Sequence, residues 1–229
     1  MIRGVVFDLD GTLLDFVTAF DEIMRRTFQP FGLTLTPDNE EEFQAMALSQ
    51  ITGKSSRFVI VKLIWSIAKK FGLGFRDRVR FLKTAGKNYR DVIRDVKPIP
   101  GAFDVLKALK EQGYKVAVVT TASTEEVQHR FEKFPEVLNL FDVVVGRDNV
   151  KHMKPAPEGV LLVAHRLGLD PSELVVVGDM HVDVLAGKRA GARAVGVLTG
   201  YGSESALKEA GADLILNSVA ELPAEFPDW

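Results

Sequence analysis

Asp8-Leu9-Asp10-Gly11-Thr12 follows directly on the apolar run Val5-Val6-Phe7. Two carboxylates spaced i, i+2 lie on one side of an extended chain and repel each other. A strand that ends this way calls for a neutralising charge. A divalent cation is the simplest one, because carboxylate and carbonyl oxygens suit Mg²⁺. The competing explanation is a solvated strand end with an Asp-Gly turn. Other polar residues bear on the choice. Val116-Ala117-Val118-Val119 leads into Thr120 and Thr121, and Val175-Val176-Val177 leads into Gly178-Asp179, with Asp183 four residues further on. Lys154, in Lys154-Pro155-Ala156-Pro157, lies just before a helical pattern. Core packing does not account for such a set at strand ends. Phosphate chemistry does. A carboxylate can act as nucleophile and form an acyl-phosphate. The phosphoryl oxygens then need cations and donors. Lys154 and Mg²⁺ would supply charge, and Thr120 with the backbone N–H groups after it would supply donors, helped by the following helix N-terminus.

The elements that must hold these residues are legible. From about residue 101 the chain alternates helix and strand patterns. Helices are predicted over 101–112 (stopped by Gly113), from the Ser123/Glu126 capping box, over 157–167 (stopped by Gly168) and over 182–190 (stopped by Gly191). Strands are predicted over 115–119, 143–145, 174–177 and 194–197, with an edge strand near 213–216. Continuous Val-rich runs indicate a parallel sheet covered on both faces. Right-handed crossovers make that a doubly wound, Rossmann-like α/β sheet. Ligands of such sheets bind outside the carboxyl ends of the strands, which is where Asp8, Asp10, Thr120, Thr121, Asp179 and Asp183 fall. Residues 16–96 read as helices over 16–28, 39–49, 55–71 and 75–96, with no strand. The expected organisation is therefore a core of 1–15 and 97–229 with an inserted α-helical cap of 16–96. Within the cap, Gly53 and Lys54 of Thr52-Gly53-Lys54-Ser55 are expected to reach a substrate, against the alternative of an ordinary helix–helix turn. Phe16, just past the first acidic run, is expected to face the leaving group.

Bulk properties narrow the function. A length of 229 residues suits one core domain plus an insertion. With a net charge of −2, no basic field recruits nucleic acid. The absence of cysteine excludes disulfides, thiol catalysis and cysteine-ligated metals, and agrees with a reducing cytoplasm. No signal peptide is expected, and the longest apolar stretch, near 58–68, is too short to span a bilayer. The expected setting is cytoplasmic, as a monomer or homodimer, with a small phosphorylated metabolite as partner and neither nucleic acid nor membrane.

On these residues the chain resembles the haloacid dehalogenase superfamily of phosphohydrolases. Asp8-Leu9-Asp10-Gly11-Thr12 matches the family's first motif, Val118-Val119-Thr120 the second, Lys154 with its prolines the third, and Gly178-Asp179-Met180-His181-Val182-Asp183 the fourth. The insertion is similar to the helical C1-type cap of phosphoglycolate phosphatases and β-phosphoglucomutases. The resemblance implies that Asp8 is the nucleophile and Asp10 the general acid, then the base that activates water against the aspartyl-phosphate. It implies Mg²⁺ held by the Asp8 carboxylate, the Asp10 backbone carbonyl and Asp179, with Asp183 acting through water or by orienting the other ligands. Thr120, Thr121 through its backbone, and Lys154 would bind phosphoryl oxygens; Lys151 is the nearby alternative to Lys154. His181 is expected to border the site. The function implied is a Mg²⁺-dependent phosphatase. Asp10 argues against a dehalogenase. A phosphomutase of the β-phosphoglucomutase type, a phosphonatase using Lys54, and a non-catalytic phosphometabolite-binding module are the alternatives.

Overall fold

Strand β1 (Gly4–Phe7) is buried at every position, which explains why it lacks the alternation of a one-sided strand. The computed structural model describes residues 1–34 and 57–222. Six parallel strands form one sheet: β1, β2 (Lys115–Val119), β3 (Val143–Val145), β4 (Leu174–Gly178), β5 (Arg193–Val197) and β6 (Leu214–Leu216). Their spatial order is β3-β2-β1-β4-β5-β6. The order reverses between β1 and β4, which makes the crevice beyond their carboxyl ends the natural ligand site of the sheet. Val5, Val6 and Phe7 pair in register with Val116, Ala117 and Val118 on one side and with Val175, Val176 and Val177 on the other.

Successive side chains take opposite faces of the sheet. Val6, Ala117, Val119 and Val176 share one face and pack with Val160 and Val163 of α7 (Glu158–Leu167) and Ala186 of α8 (His181–Ala190). Val5, Phe7, Val118 and Val177 point the other way and are equally inaccessible to water. Each fully buried valine or phenylalanine stabilises the fold by about 1.5–3 kcal/mol. Helices α7 and α8 end at Gly168 and Gly191, both in the left-handed conformation, where the sequence pattern stops them. Helix α4 (Ala102–Glu111) buries Leu106 and Leu109 and packs against β2. Helix α5 (Thr124–Arg130) begins with the expected Ser123/Glu126 capping box. Helices α6 (Pro135–Leu138) and α9 (Glu204–Glu209) were not expected. They are too short for apolar periodicity to reveal them.

The chain divides into two compact units, Met1–Val17 with Val96–Trp229, and Thr18–Asp95. Two connections run side by side in the first unit: the Asp15 N–H donates to the Lys97 carbonyl (2.8 Å) and the Ile99 N–H to the Leu13 carbonyl (2.9 Å). The described part of the second unit is helical: most of α1 (Phe16–Phe28), α2 (Arg57–Lys70) and α3 (Phe75–Ile93). Its apolar centre is Phe28, Ile67, Ala68 and Phe81. Phe28 meets Phe71 and Phe81 edge-on, with ring centroids 5.0 and 5.2 Å apart. Helix α3 stops three residues before the expected end at Val96. The predicted helix over 39–49, and Gly53 and Lys54, lie outside the described residues.

Candidate active site

The sheet carries its acids to the rim by extending its own hydrogen bonds. The Asp8 N–H donates to the Val177 carbonyl at 2.8 Å, continuing the β1–β4 ladder one residue past β1. The Thr120 N–H does the same with the Val145 carbonyl at 3.0 Å. The Thr120 hydroxyl oxygen then accepts the Ala122 N–H at 3.1 Å, which orders the turn into α5. Lys154 closes the group. Its Nζ donates to Asp8 Oδ1 (2.6 Å), Asp183 Oδ1 (2.5 Å) and the Val119 carbonyl (3.1 Å). Lys154 is buried whereas Lys151 is exposed, so Lys154 is the lysine brought to the acids. At the start of α8, Asp183 Oδ2 accepts the Met180 N–H at 3.0 Å.

Asp179 is held by neutral donors. Thr12 Oγ1 donates to one oxygen at 3.3 Å and the Tyr201 N–H to the other at 3.0 Å. The loop bearing Tyr201 runs so close that a Cβ on Gly200 would lie 1.8 Å from Asp179 Oδ2. Thr199 pins the same loop to the first acidic run by donating to the Gly11 carbonyl at 2.6 Å. The sequence shows no pattern for this loop, and its part in holding Asp179 follows only from the β5–β4 pairing.

Carboxylate oxygens of Asp8, Asp179 and Asp183 all lie within 4.8 Å of one another, and all three residues are buried. Burial raises Asp8 to about 6, the Asp183 charge adds to this, and Lys154 opposes it. Burial raises Asp179 well above 3.8, with Asp183 and Asp8 adding repulsion. Burial alone would push the Lys154 ammonium down, but Asp183 and Asp8 reverse that and raise it. Three carboxylates against one ammonium leave a formal charge of −2, which is what one divalent cation neutralises. The oxygen donors suit Mg²⁺.

Asp10 is turned to a different partner. Nη1 of Arg130 donates to both Asp10 oxygens at 2.5 Å, and Arg130 is 3% exposed. Burial raises Asp10, with Arg130 opposing. The two acids of the first run have separate cationic partners: Lys154 serves Asp8, Arg130 serves Asp10, and the Asp10 side chain is not part of the three-carboxylate group. Arg130 was missed because a basic residue in a last helical turn is ordinary dipole complementation. The Phe16 ring, expected at the leaving group, lies 5.9 Å from the Arg130 guanidinium carbon. The Thr121 carbonyl accepts from Arg147 Nη1 at 3.2 Å. His181 is the first residue of α8, half-buried, and outside the three-carboxylate group.

The profile of haloacid dehalogenase-like hydrolases matches residues 5–197, a span that holds every acid described above. The chain belongs to that family. A phosphoglycolate phosphatase of Aquifex aeolicus (strain VF5) is 31% identical over 204 residues, covering 87% of this chain and 86% of that protein. A phosphoglycolate phosphatase of Salmonella typhimurium is 30% identical over 232 residues, covering 96% and 91%. A candidate β-phosphoglucomutase of Thermotoga maritima superposes with a TM-score of 0.77 at 28% identity, covering 93% of this chain and 94% of that one. With these relatives, this member of the haloacid dehalogenase-like family is an enzyme, a phosphoric monoester hydrolase. Among the described residues, no helix is long and apolar enough to cross a membrane.

Proposed function

We propose that this phosphatase hydrolyses a small phosphorylated metabolite with Mg²⁺, through an aspartyl-phosphate on Asp8. One observation carries the reading: two acids two residues apart, at the switch point of the sheet, are held by different cations and so given different tasks. Asp8, on Lys154 and beside Asp179 and Asp183, is the nucleophile that attacks phosphorus. Asp10, on Arg130, is the general acid that protonates the leaving oxygen and then the base that takes a proton from the attacking water. Thr120, the backbone of Thr121 and Lys154 bind phosphoryl oxygens. The Asp8 and Asp179 carboxylates, with the Asp10 backbone carbonyl, would hold the Mg²⁺, and Asp183 would act through water or by orienting the other ligands. Such an ion would supply positive charge against the developing charge of the phosphoryl group. The second unit, Thr18–Asp95, is assigned the discrimination between substrates, with Gly53, Lys54 and, from the first unit, Phe16 as candidate substrate contacts.

The named relatives make 2-phosphoglycolate the first compound to assay. Hydrolysis of p-nitrophenyl phosphate with Mg²⁺ tests the chemistry itself. Asp8→Asn should lower it by about 10⁴-fold or more while the protein stays folded. Undiminished turnover in that variant would overturn the assignment. A phosphomutase is the second reading, favoured by the Thermotoga maritima structure. Incubation with a sugar monophosphate separates the two: an isomer indicates a mutase, inorganic phosphate a phosphatase.

A further inference from the structure

Arg130 is a buried charge whose part in the proposed chemistry has so far been only to hold Asp10. Burying a guanidinium costs several kcal/mol, roughly, even after relaxation, and a well-packed apolar side chain avoids that cost. Its surroundings indicate what it does. Nη1 stands between the two Asp10 oxygens, 2.5 Å from each. The guanidinium lies against the Phe16 ring. Arg130 is also the last residue of α5, whose first turn follows the Thr120–Thr121 loop.

That helix is braced at its other end. The Ser123 N–H donates to Glu126 Oε2 at 2.8 Å and Ser123 Oγ accepts the Glu126 N–H at 3.2 Å. Arg147 holds the same Glu126 carboxylate through Nη1 (2.5 Å) and Nη2 (2.9 Å), and its Nη1 also reaches the Thr121 carbonyl. Against the opposing effect of burial, the Arg147 hydrogen bonds keep the Glu126 carboxyl below its ordinary range. One seven-residue helix therefore joins the Thr120–Thr121 loop at its start to the Asp10 carboxylate at its end.

We propose that Arg130 is the positioning residue for Asp10: through α5 it holds that carboxylate in fixed register with the phosphoryl-binding loop. The inference rests on the reading of Asp10 as acid and base. Arg130 keeps its own protons throughout. As the Asp8–phosphorus bond forms and the ester P–O bond breaks, a proton passes from the Asp10 carboxyl to the leaving oxygen. A water oxygen then bonds to phosphorus, the Asp8–phosphorus bond breaks, and the water proton goes to Asp10. Misaiming the carboxylate penalises leaving groups that need that proton and spares those that depart without it.

The test is the ratio of kcat/KM for 2-phosphoglycolate, with a poor alkoxide leaving group, to kcat/KM for p-nitrophenyl phosphate, with a good one. Arg130→Met should lower the first by about 10²-fold and the second by less than about 3-fold. Arg130→Lys, which keeps the charge but not the planar guanidinium, should fall between. Equal losses on both substrates in the folded variants would overturn the proposal, as would a change confined to KM. Circular dichroism monitors folding; if Arg130→Met does not fold, Arg130→Lys carries the test, a selective loss supporting the proposal and a uniform one overturning it. Asp10→Asn separates this proposal from the reading beneath it. If Asp10→Asn lacks the selective loss, the acid assignment itself fails. If Asp10→Asn shows the loss and the Arg130 variants do not, only the positioning role fails. The double variant should be no worse than Asp10→Asn alone, because residues acting as a unit are not additive.

Discussion

The ammonium of Lys154 lies 2.6 Å from the Asp8 carboxylate, across 146 residues of sequence. The same nitrogen reaches Asp183, so one cation ties the end of β1 to the start of α8. Lys154→Met should lower kcat/KM by about 10²–10³-fold, the usual loss when one donor to developing charge is removed. It should also destabilise the metal-free protein by about 3–5 kcal/mol, since the acids lose their buried partner. Added Mg²⁺ should recover part of the stability and little of the rate. Steady-state kinetics and urea unfolding with and without Mg²⁺ check both.

Asp179 provides a prediction with a defined sign. Its folded value is raised by burial, then by Asp183 and Asp8. The fold therefore favours the neutral carboxyl. Its contribution to the stability of the metal-free protein is greatest below the ordinary value of 3.8 and is lost as pH rises from there through the raised value. Asp179→Asn removes the charge and keeps the shape. In EDTA at neutral pH this variant should melt above the parent, by about 2–4 °C for each kcal/mol relieved. The difference should shrink as pH falls. Activity with Mg²⁺ should drop sharply. Identical melting at every pH would contradict the account.

Metal affinity should follow the Asp8 carboxyl. With that group raised to about 6, Mg²⁺ must displace its proton at lower pH. The apparent Mg²⁺ dissociation constant should therefore weaken by at least roughly tenfold per pH unit below 6, because Asp179, also raised, must give up its proton too. Isothermal titration in two buffers of different ionisation heat would register the released proton. EDTA should stop hydrolysis, and excess Mg²⁺ should restore it.

Gly200→Ala tests the close approach behind Asp179. The added Cβ would sit 1.8 Å from Asp179 Oδ2, so the loop or the carboxylate must shift. Such overpacking costs about 1–3 kcal/mol. The Mg²⁺ concentration for half-maximal rate should rise, while the KM for p-nitrophenyl phosphate at saturating Mg²⁺ changes less. An unchanged Mg²⁺ requirement would show that the loop does not position Asp179.

Most of the core was legible because its strands are short, apolar and punctuated. β2 and β3 occupy the residues expected of them, and α7 and α8 stop at their glycines. Asp8, Thr120 and Asp179 were identifiable because each follows a strand whose burial fixes its direction, Asp183 because it lies in the first turn of the helix after one, and Lys154 because it stands among prolines just before a helical pattern. Arg130, Thr12 and Tyr201 were not. Arg130 looks like a helix-end cation, Thr12 like the tail of a turn, and Tyr201 acts through its backbone N–H, which no side-chain pattern reports.

The chain by itself determined the parallel sheet, the order of its elements and the acids at its rim. Those follow from local hydrophobic pattern and from strand ends, which are properties of contiguous residues. The partnering of the charges comes from the fold: Lys154 with Asp8 and Asp183, Arg130 with Asp10, and neutral donors with Asp179. Charge pairing between residues more than a hundred positions apart depends on which strands lie side by side. The β1–β4 and β1–β2 pairings bring those residues together after the chain has crossed the sheet.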